Sequence, residues 1–189
     1  NEDTEQAMLE VMQWCWREKS VPESWSTFYM TVLEKKGDLT NPANYRGINM
    51  SETLSKVYSS ILKNRLNLLC GQLAPEYCGG FRKGRGRGDC TYTAKQTLRQ
   101  NKRHGLDSYV ICWDAIKCFD RLPREFIWKS MQKVGVHPEM IQAVQATLEG
   151  TVCELNVEGE RRTVRMRQGS AQGTSLGPTL CLYFFLPIL

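Results

Sequence analysis

Apolar residues recur at two different periods along this chain, and the switches between them mark its elements. Between Thr4 and Lys19, Met8, Val11, Met12 and Trp16 return at helical spacing with no breaker, so a helix is predicted up to Val21-Pro22-Glu23-Ser24. From Trp25 to Lys35 the period drops to two. Phe28, Met30 and Val32 alternate with Thr27, Tyr29 and Thr31, which predicts a strand. Lys36-Gly37-Asp38 turns the chain, Asn41-Pro42 continues the loop, and Arg46 to Asn49 is a short returning strand. The clearest helix follows, with Leu54, Val57, Tyr58, Ile61, Leu62, Leu66 and Leu69 on one core-facing stripe, Ser51 as its cap and Gly71 as its stop.

The second half continues in shorter pieces. Gly79 to Gly88 is a loop of glycines and arginines, and Asp89 then caps a polar helix running to about Arg103. Tyr109 to Trp113 reads as a short apolar strand ending at Asp114. Pro123 opens a helix that Gly135 closes, and His137-Pro138 opens another toward Leu148. Thr151 to Val157 and Arg161 to Arg167 make a hairpin around Glu158-Gly159, and Gly169 to Pro178 is a loop. The final run from Leu180 to Leu189 is too short for a membrane span of about 20 residues and is interrupted by Pro187. It reads as a core helix that has lost its cover, the end of a fragment that also begins without an initiator Met. Strands and helices mix without regular alternation, so the class is α+β, with no break that marks a second domain.

Composition changes this picture little. A hydrophobic share of 41% and a charged share of 24% in 189 residues exclude a disordered, collagenous or coiled-coil chain. The net charge of +5 is compatible with a polyanionic partner, and its distribution matters more than its sum. Arg82, Lys83, Arg85 and Arg87 set four cations among glycines, an arrangement suited to a phosphate backbone or simply to water. Arg161, Arg165 and Arg167 share one face of the second hairpin, opposite Arg162, Val164 and Met166. Eight cysteines without C-x-x-C spacing, and only two histidines, argue against zinc. Several sit in apolar runs, as Cys112 does, and read as small buried hydrophobes. No signal peptide precedes them, so an intracellular setting (nucleus or cytoplasm) is expected.

The chemistry concentrates around Asp114. A carboxylate delivered at the end of an apolar strand can meet Mg²⁺, which takes oxygen ligands and substrate phosphates. A helix cap or loop anchor is the plainer alternative. Phe119 offers a flat apolar wall, and Asp120, close to the helix that Pro123 opens, suits a structural role. Lys35, Lys36 and Arg46 could equally be a solvated hairpin face, and Gln172-Gly173 a plain turn.

Four segments in order narrow these alternatives. Asn44-Tyr45-Arg46-Gly47-Ile48, Gly80-Phe81-Arg82-Lys83-Gly84-Arg85, Asp114-Ala115-Ile116-Lys117-Cys118-Phe119-Asp120 and Gly169-Ser170-Ala171-Gln172-Gly173-Thr174-Ser175-Leu176-Gly177-Pro178 resemble successive motifs of non-LTR (LINE-like) retrotransposon reverse transcriptases, relatives of group II intron enzymes. The resemblance spans Trp25 to the end. Cys118 stands where the family usually has Ala, Gly177 where it has Ser, and Cys78-Gly79 where a Gln and a small residue are usual.

The resemblance implies the fingers (about 1–107) and part of the palm (108–189) of a right-hand polymerase. The implied activity is RNA-directed DNA synthesis with two Mg²⁺ ions, an RNA template, a DNA primer and deoxynucleoside triphosphates. It makes Asp114 the catalytic metal ligand, and assigns Lys35, Lys36, Arg46, Ala115, Phe119, Gln172 and Gly173 to the nucleotide. Arg82, Lys83, Arg85 and Arg87 would meet template and primer. The family's aromatic-x-Asp-Asp segment is missing, since no Asp follows Asp120. One acid cannot hold two like-charged ions, so the chain alone is expected to be inactive. Two further readings stand beside an enzyme fragment: a catalytically dead nucleic-acid-binding remnant of a retroelement, and an unrelated intracellular α+β domain.

Overall fold

In the computed structural model, which describes residues 2–112, 114–157, 159–170 and 173–188, helix α1 (Glu2–Glu18) opens the chain with Glu2, Asp3 and Glu5 in its first turn, where carboxylates favour the free N–H groups. It buries Met12 and Cys15. A 3₁₀ turn at Glu23–Ser26 then tucks Trp25 into the core against Tyr58, with ring centroids 6.1 Å apart.

Strands β1 (Thr27–Glu34) and β2 (Tyr45–Met50) form the first hairpin, with Tyr29 opposite Met50 and Leu33 opposite Arg46. The alternation in β1 is only half used. Phe28 is buried, but Val32 is 51% exposed, because the outer half of the hairpin stands clear of the core. On its other edge β1 pairs in parallel with β3 (Val152–Val157), Thr27 opposite Val152, and β3 pairs antiparallel with β4 (Glu160–Arg165). The sheet order is β2-β1-β3-β4. Parallel pairing requires a crossover, and here the helices between β2 and β3 supply it.

Those helices are α2 (Thr53–Leu73), α3 (Arg87–Arg103), α4 (Cys118–Arg121), α5 (Arg124–Lys133) and α6 (Pro138–Ala146), and α7 (Gly177–Phe185) comes last. Tyr58, Leu62 and Leu66 of α2 are the buried part of the expected stripe, whereas Val57 and Ile61 lie at its exposed margin. The N-cap position falls on Glu52 rather than Ser51, without a side-chain capping bond, and Gly71 does not end the helix. The stop is Pro75, which forces Ala74 into an extended conformation with ψ of 130°.

Two expectations fail. Tyr109 to Cys112 form no strand, and Trp113 lies outside the described residues: Tyr109 is 90% and Ile111 89% exposed, and Cys112 is exposed rather than a buried hydrophobe. A strand needs a neighbouring strand, and none of the described residues offers one. The terminal apolar helix, in turn, is covered. α7 packs against α2, α4 and α5, and Leu180 to Tyr183 are all buried. The buried Tyr183 hydroxyl donates to the Leu66 carbonyl at 3.0 Å, the Ser130 hydroxyl to the Tyr183 carbonyl at 2.5 Å, and the Thr179 hydroxyl to Asn67 Oδ1 at 2.9 Å. Among the described residues no helix is long and apolar enough to cross a membrane.

Truncating Leu62, fully buried between these helices, removes apolar contacts that cannot be replaced. Leu62→Ala should lower the unfolding free energy by about 2–5 kcal/mol in urea titration, with an unchanged slope.

Candidate nucleotide and nucleic-acid site

The first hairpin presents its cations because its loop is tied together from within. Asp38 accepts from the backbone and hydroxyl of Thr40, which holds its carboxyl below the usual range. Asn44 donates to the Asp38 carbonyl at 2.7 Å, Asn41 Oδ1 accepts from the Ala43 amide at 2.9 Å, and the Lys35 amide closes the loop onto the Asn44 carbonyl. Lys35 and Arg46 therefore emerge from adjoining strand ends onto one side of an open cleft of about 880 Å³. Lys36 is exposed on the turn and does not line this cleft.

The opposite wall is the stretch Asp114, Ala115, Lys117, Cys118, Phe119 and Asp120. Lys117 adopts a left-handed conformation (φ 50°), which turns the chain into α4. Phe119 sits half-buried with its ring edge-on to Phe81 at 5.8 Å, so the Gly80-Phe81-Arg82 loop supports this wall.

A single loop connects the two walls. The Gly169 amide donates to the Leu122 carbonyl at 2.9 Å and the Ser170 amide to the Phe119 carbonyl at 3.0 Å. Gly169 has φ of +79°, and a Cβ there would lie 2.7 Å from both the Phe119 and Asp120 carbonyl oxygens. A Cβ on Gly173 would lie 2.4 Å from the Asn49 carbonyl of β2, so this glycine lets the loop touch the hairpin wall. Ala171 and Gln172 lie outside the described residues.

Behind the loop stands Arg124, which the sequence reading passed over. Its guanidinium donates to the carbonyls of Gly169 at 3.0 Å and Leu148 at 2.5 Å, and to the Thr151 hydroxyl at 3.2 Å. Burial lowers its pKa, yet a guanidinium stays charged. Nothing in the local pattern around Pro123 announces such a role. Asn49 and Lys117 also line the cleft unannounced, and Asp120 faces it from α4.

The glycine- and arginine-rich loop divides its cations. Arg82 donates to the carbonyls of Pro75 at 2.7 Å, Cys78 at 3.3 Å and Gly71 at 3.1 Å, closing the end of α2. Arg85 pairs with Glu76. Lys83 and Arg87 are exposed, and Arg87 opens α3, whose first turn is fastened by Asp89 accepting from the Gly86 amide at 2.8 Å.

Residues 33–189 match the family described as reverse transcriptase (RNA-dependent DNA polymerase). The chain belongs to this family. The reverse transcriptase region aligns with a Pol polyprotein of the type-1 retrotransposable element R2 from Popillia japonica, 28% identical over 85% of this chain and 22% of that protein. It also aligns with a probable RNA-directed DNA polymerase from transposon X-element of Drosophila melanogaster, 27% identical over 86% of this chain and 18% of that one. The chain thus spans about a fifth of the length of the curated relatives it matches. The fold is that of an apo telomerase from Candida Tropicalis, with a TM-score of 0.61, 16% identity and coverage of 95% of this chain and 43% of that one. The non-LTR resemblance of the motifs is therefore borne out, and the α+β class with it.

Reverse transcriptases generally use divalent metal ions. Among the described residues no group of three His, Cys, Asp or Glu could hold one, and Asp114 and Asp120 are the carboxylates that line the cleft.

The loop geometry separates two kinds of glycine. Gly135 also has positive φ (+86°), but a Cβ there meets nothing within 4 Å. Gly135→Ala should cost about 1–2 kcal/mol of backbone strain, whereas Gly169→Ala adds a clash with two carbonyls and should cost at least ~1 kcal/mol more. Paired thermal unfolding curves check the difference.

Proposed function

We propose that this chain is part of an RNA-directed DNA polymerase of a non-LTR retrotransposon, and that the cleft is its deoxynucleoside triphosphate site. The observation that carries this reading is the convergence of Lys35, Arg46, Asp114, Ala115 and Phe119, which come from three separate stretches of sequence, around one open cleft. A triphosphate needs cations on one side, a metal-bearing carboxylate near its reactive phosphorus, and a flat wall for its sugar. Lys35 acts as a point charge and Arg46 as a two-pronged donor. Phe119, held by Phe81, closes the sugar side and disfavours a 2′-hydroxyl by shape. Gly173 permits close backbone approach, with Gln172 beside it in sequence and Lys36 next to Lys35 as a second cation.

Residues 1–107 correspond to fingers and 108–189 mainly to palm. Lys83 and Arg87 offer charge to template and primer backbones, while Arg82 and Arg85 shape the loop that carries them. The enzyme works inside the cell, with RNA as template and DNA as primer. Asp114 would be one ligand of the two Mg²⁺ ions, which when bound would supply charge neutralisation at the reacting phosphates. The described residues do not make that two-metal site by themselves, and this chain's own residues bind and orient the nucleotide.

Two measurements test this. Deoxynucleotide binding to the chain, followed by calorimetry, should weaken about tenfold or more in Arg46→Ala, as expected for losing a charged hydrogen bond of ~1.5–3 kcal/mol. Identical affinities would remove the cleft from the argument. Primer extension on an RNA template should give no product. Synthesis that Asp114→Asn abolishes would show that the chain is catalytically complete after all.

A further inference from the structure

We propose that Cys118 and Cys181 form a reversible dithiol–disulfide modification site in the cleft wall. The Cys118 sulfur, at the start of α4, lies 3.8 Å from the Cys181 sulfur in α7. The sulfurs are therefore in contact, and a disulfide of about 2.0 Å asks them to close by a further ~1.8 Å.

The two thiols are unequally placed. Cys118 is half-buried and lines the open cleft, within reach of a small oxidant. It shares that cleft with the cations Lys35, Arg46 and Lys117 and the carboxylates Asp114 and Asp120. Cys181 is 3% exposed, and burial, followed by the adjacent Cys118, pushes its thiol pKa up to about 12. Cys118 is accordingly the sulfur oxidised first, and Cys181 the one that resolves it.

With hydrogen peroxide the chemistry balances. The Cys118 sulfur attacks one peroxide oxygen, the O–O bond breaks, and a sulfenic acid forms as the second oxygen leaves as water. The Cys181 sulfur attacks the sulfenic sulfur, its proton leaves with the hydroxyl as a second water, and the S–S bond forms. Two thiols lose two electrons, and the peroxide gains two. Contact at 3.8 Å compensates for the protonated state of Cys181, since a held reactant acts at very high effective concentration.

The bond would tie α4, and with it Phe119, to the core helix α7. This inference stands on the two sulfurs alone and does not require the cleft to bind nucleotide.

The test treats the full 189-residue chain with equimolar hydrogen peroxide, blocks remaining thiols, and digests with trypsin without reduction. Cleavage after Lys117, Arg121 and Arg167 gives peptides 118–121 and 168–189, each with one cysteine. The expected product is these two peptides joined, lost on adding dithiothreitol. In Cys181→Ala, Cys118 should instead accumulate sulfenic acid that dimedone traps; Cys181→Ser repeats this arm where alanine unsettles the fold. Cys90 and Cys112 are more exposed and serve as competitors. Oxidation of these while Cys118 stays a free thiol overturns the proposal, as does Cys118 stopping at sulfenic acid or joining a different cysteine in the unaltered chain.

Discussion

Helix α7 carries no charged residue and no polar face, so the chain can accommodate it only by enclosing it. α2 and α5 each turn an apolar stripe toward it, and its few polar atoms find partners in those helices through Tyr183, Thr179 and Ser130. An unmade hydrogen bond at such depth costs about 1–3 kcal/mol, which makes this arrangement one of position as well as of burial. The loop that leads into α7 begins beneath α4 and passes against β2. With α7 anchored, both walls of the cleft are held relative to one another.

Arg124 completes that junction. A half-buried guanidinium directs its donors to nearby acceptors, and those it meets lie just after α6, just before β3 and at the Gly169 carbonyl. Sheet, helices and cleft loop therefore meet at one cation. Gly169, flanked by the carbonyls of Phe119 and Asp120, leaves no space for a side chain between this cation and the site. The nearer a residue lies to the junction, the less its identity can change without moving the cleft.

The parts of the fold legible in the sequence were those decided by neighbours three or four residues away. The stripe of Leu62 and Leu66, the opening of α5 at Pro123 and its closing at Gly135, and the turn around Gly159 all followed from local chemistry. Tyr109 to Cys112 failed because β-branched and aromatic residues state only a willingness to pair, and pairing depends on a distant strand. Gly71 failed because a following proline outweighs a permissive glycine. At the site, the motif order brought forward Lys35, Arg46, Asp114 and Phe119. It could not reveal Arg124, whose three acceptors lie 24 to 45 residues further along the chain, or the meeting of Cys118 with Cys181 across 63.

Strand β1 has hydrogen-bonding partners that arrive at very different times. β2 follows within a short loop, but the Thr27 to Met30 edge waits for Val152 to Leu155. At a synthesis rate of ~5–20 residues per second, those intervening residues, about 125, take on the order of ten seconds to emerge. For that interval a nascent hairpin stands beside the ribosome with one open edge, available to any passing strand. A chaperone that recognises extended, apolar backbone would find its substrate there, in a stretch that the finished protein hides.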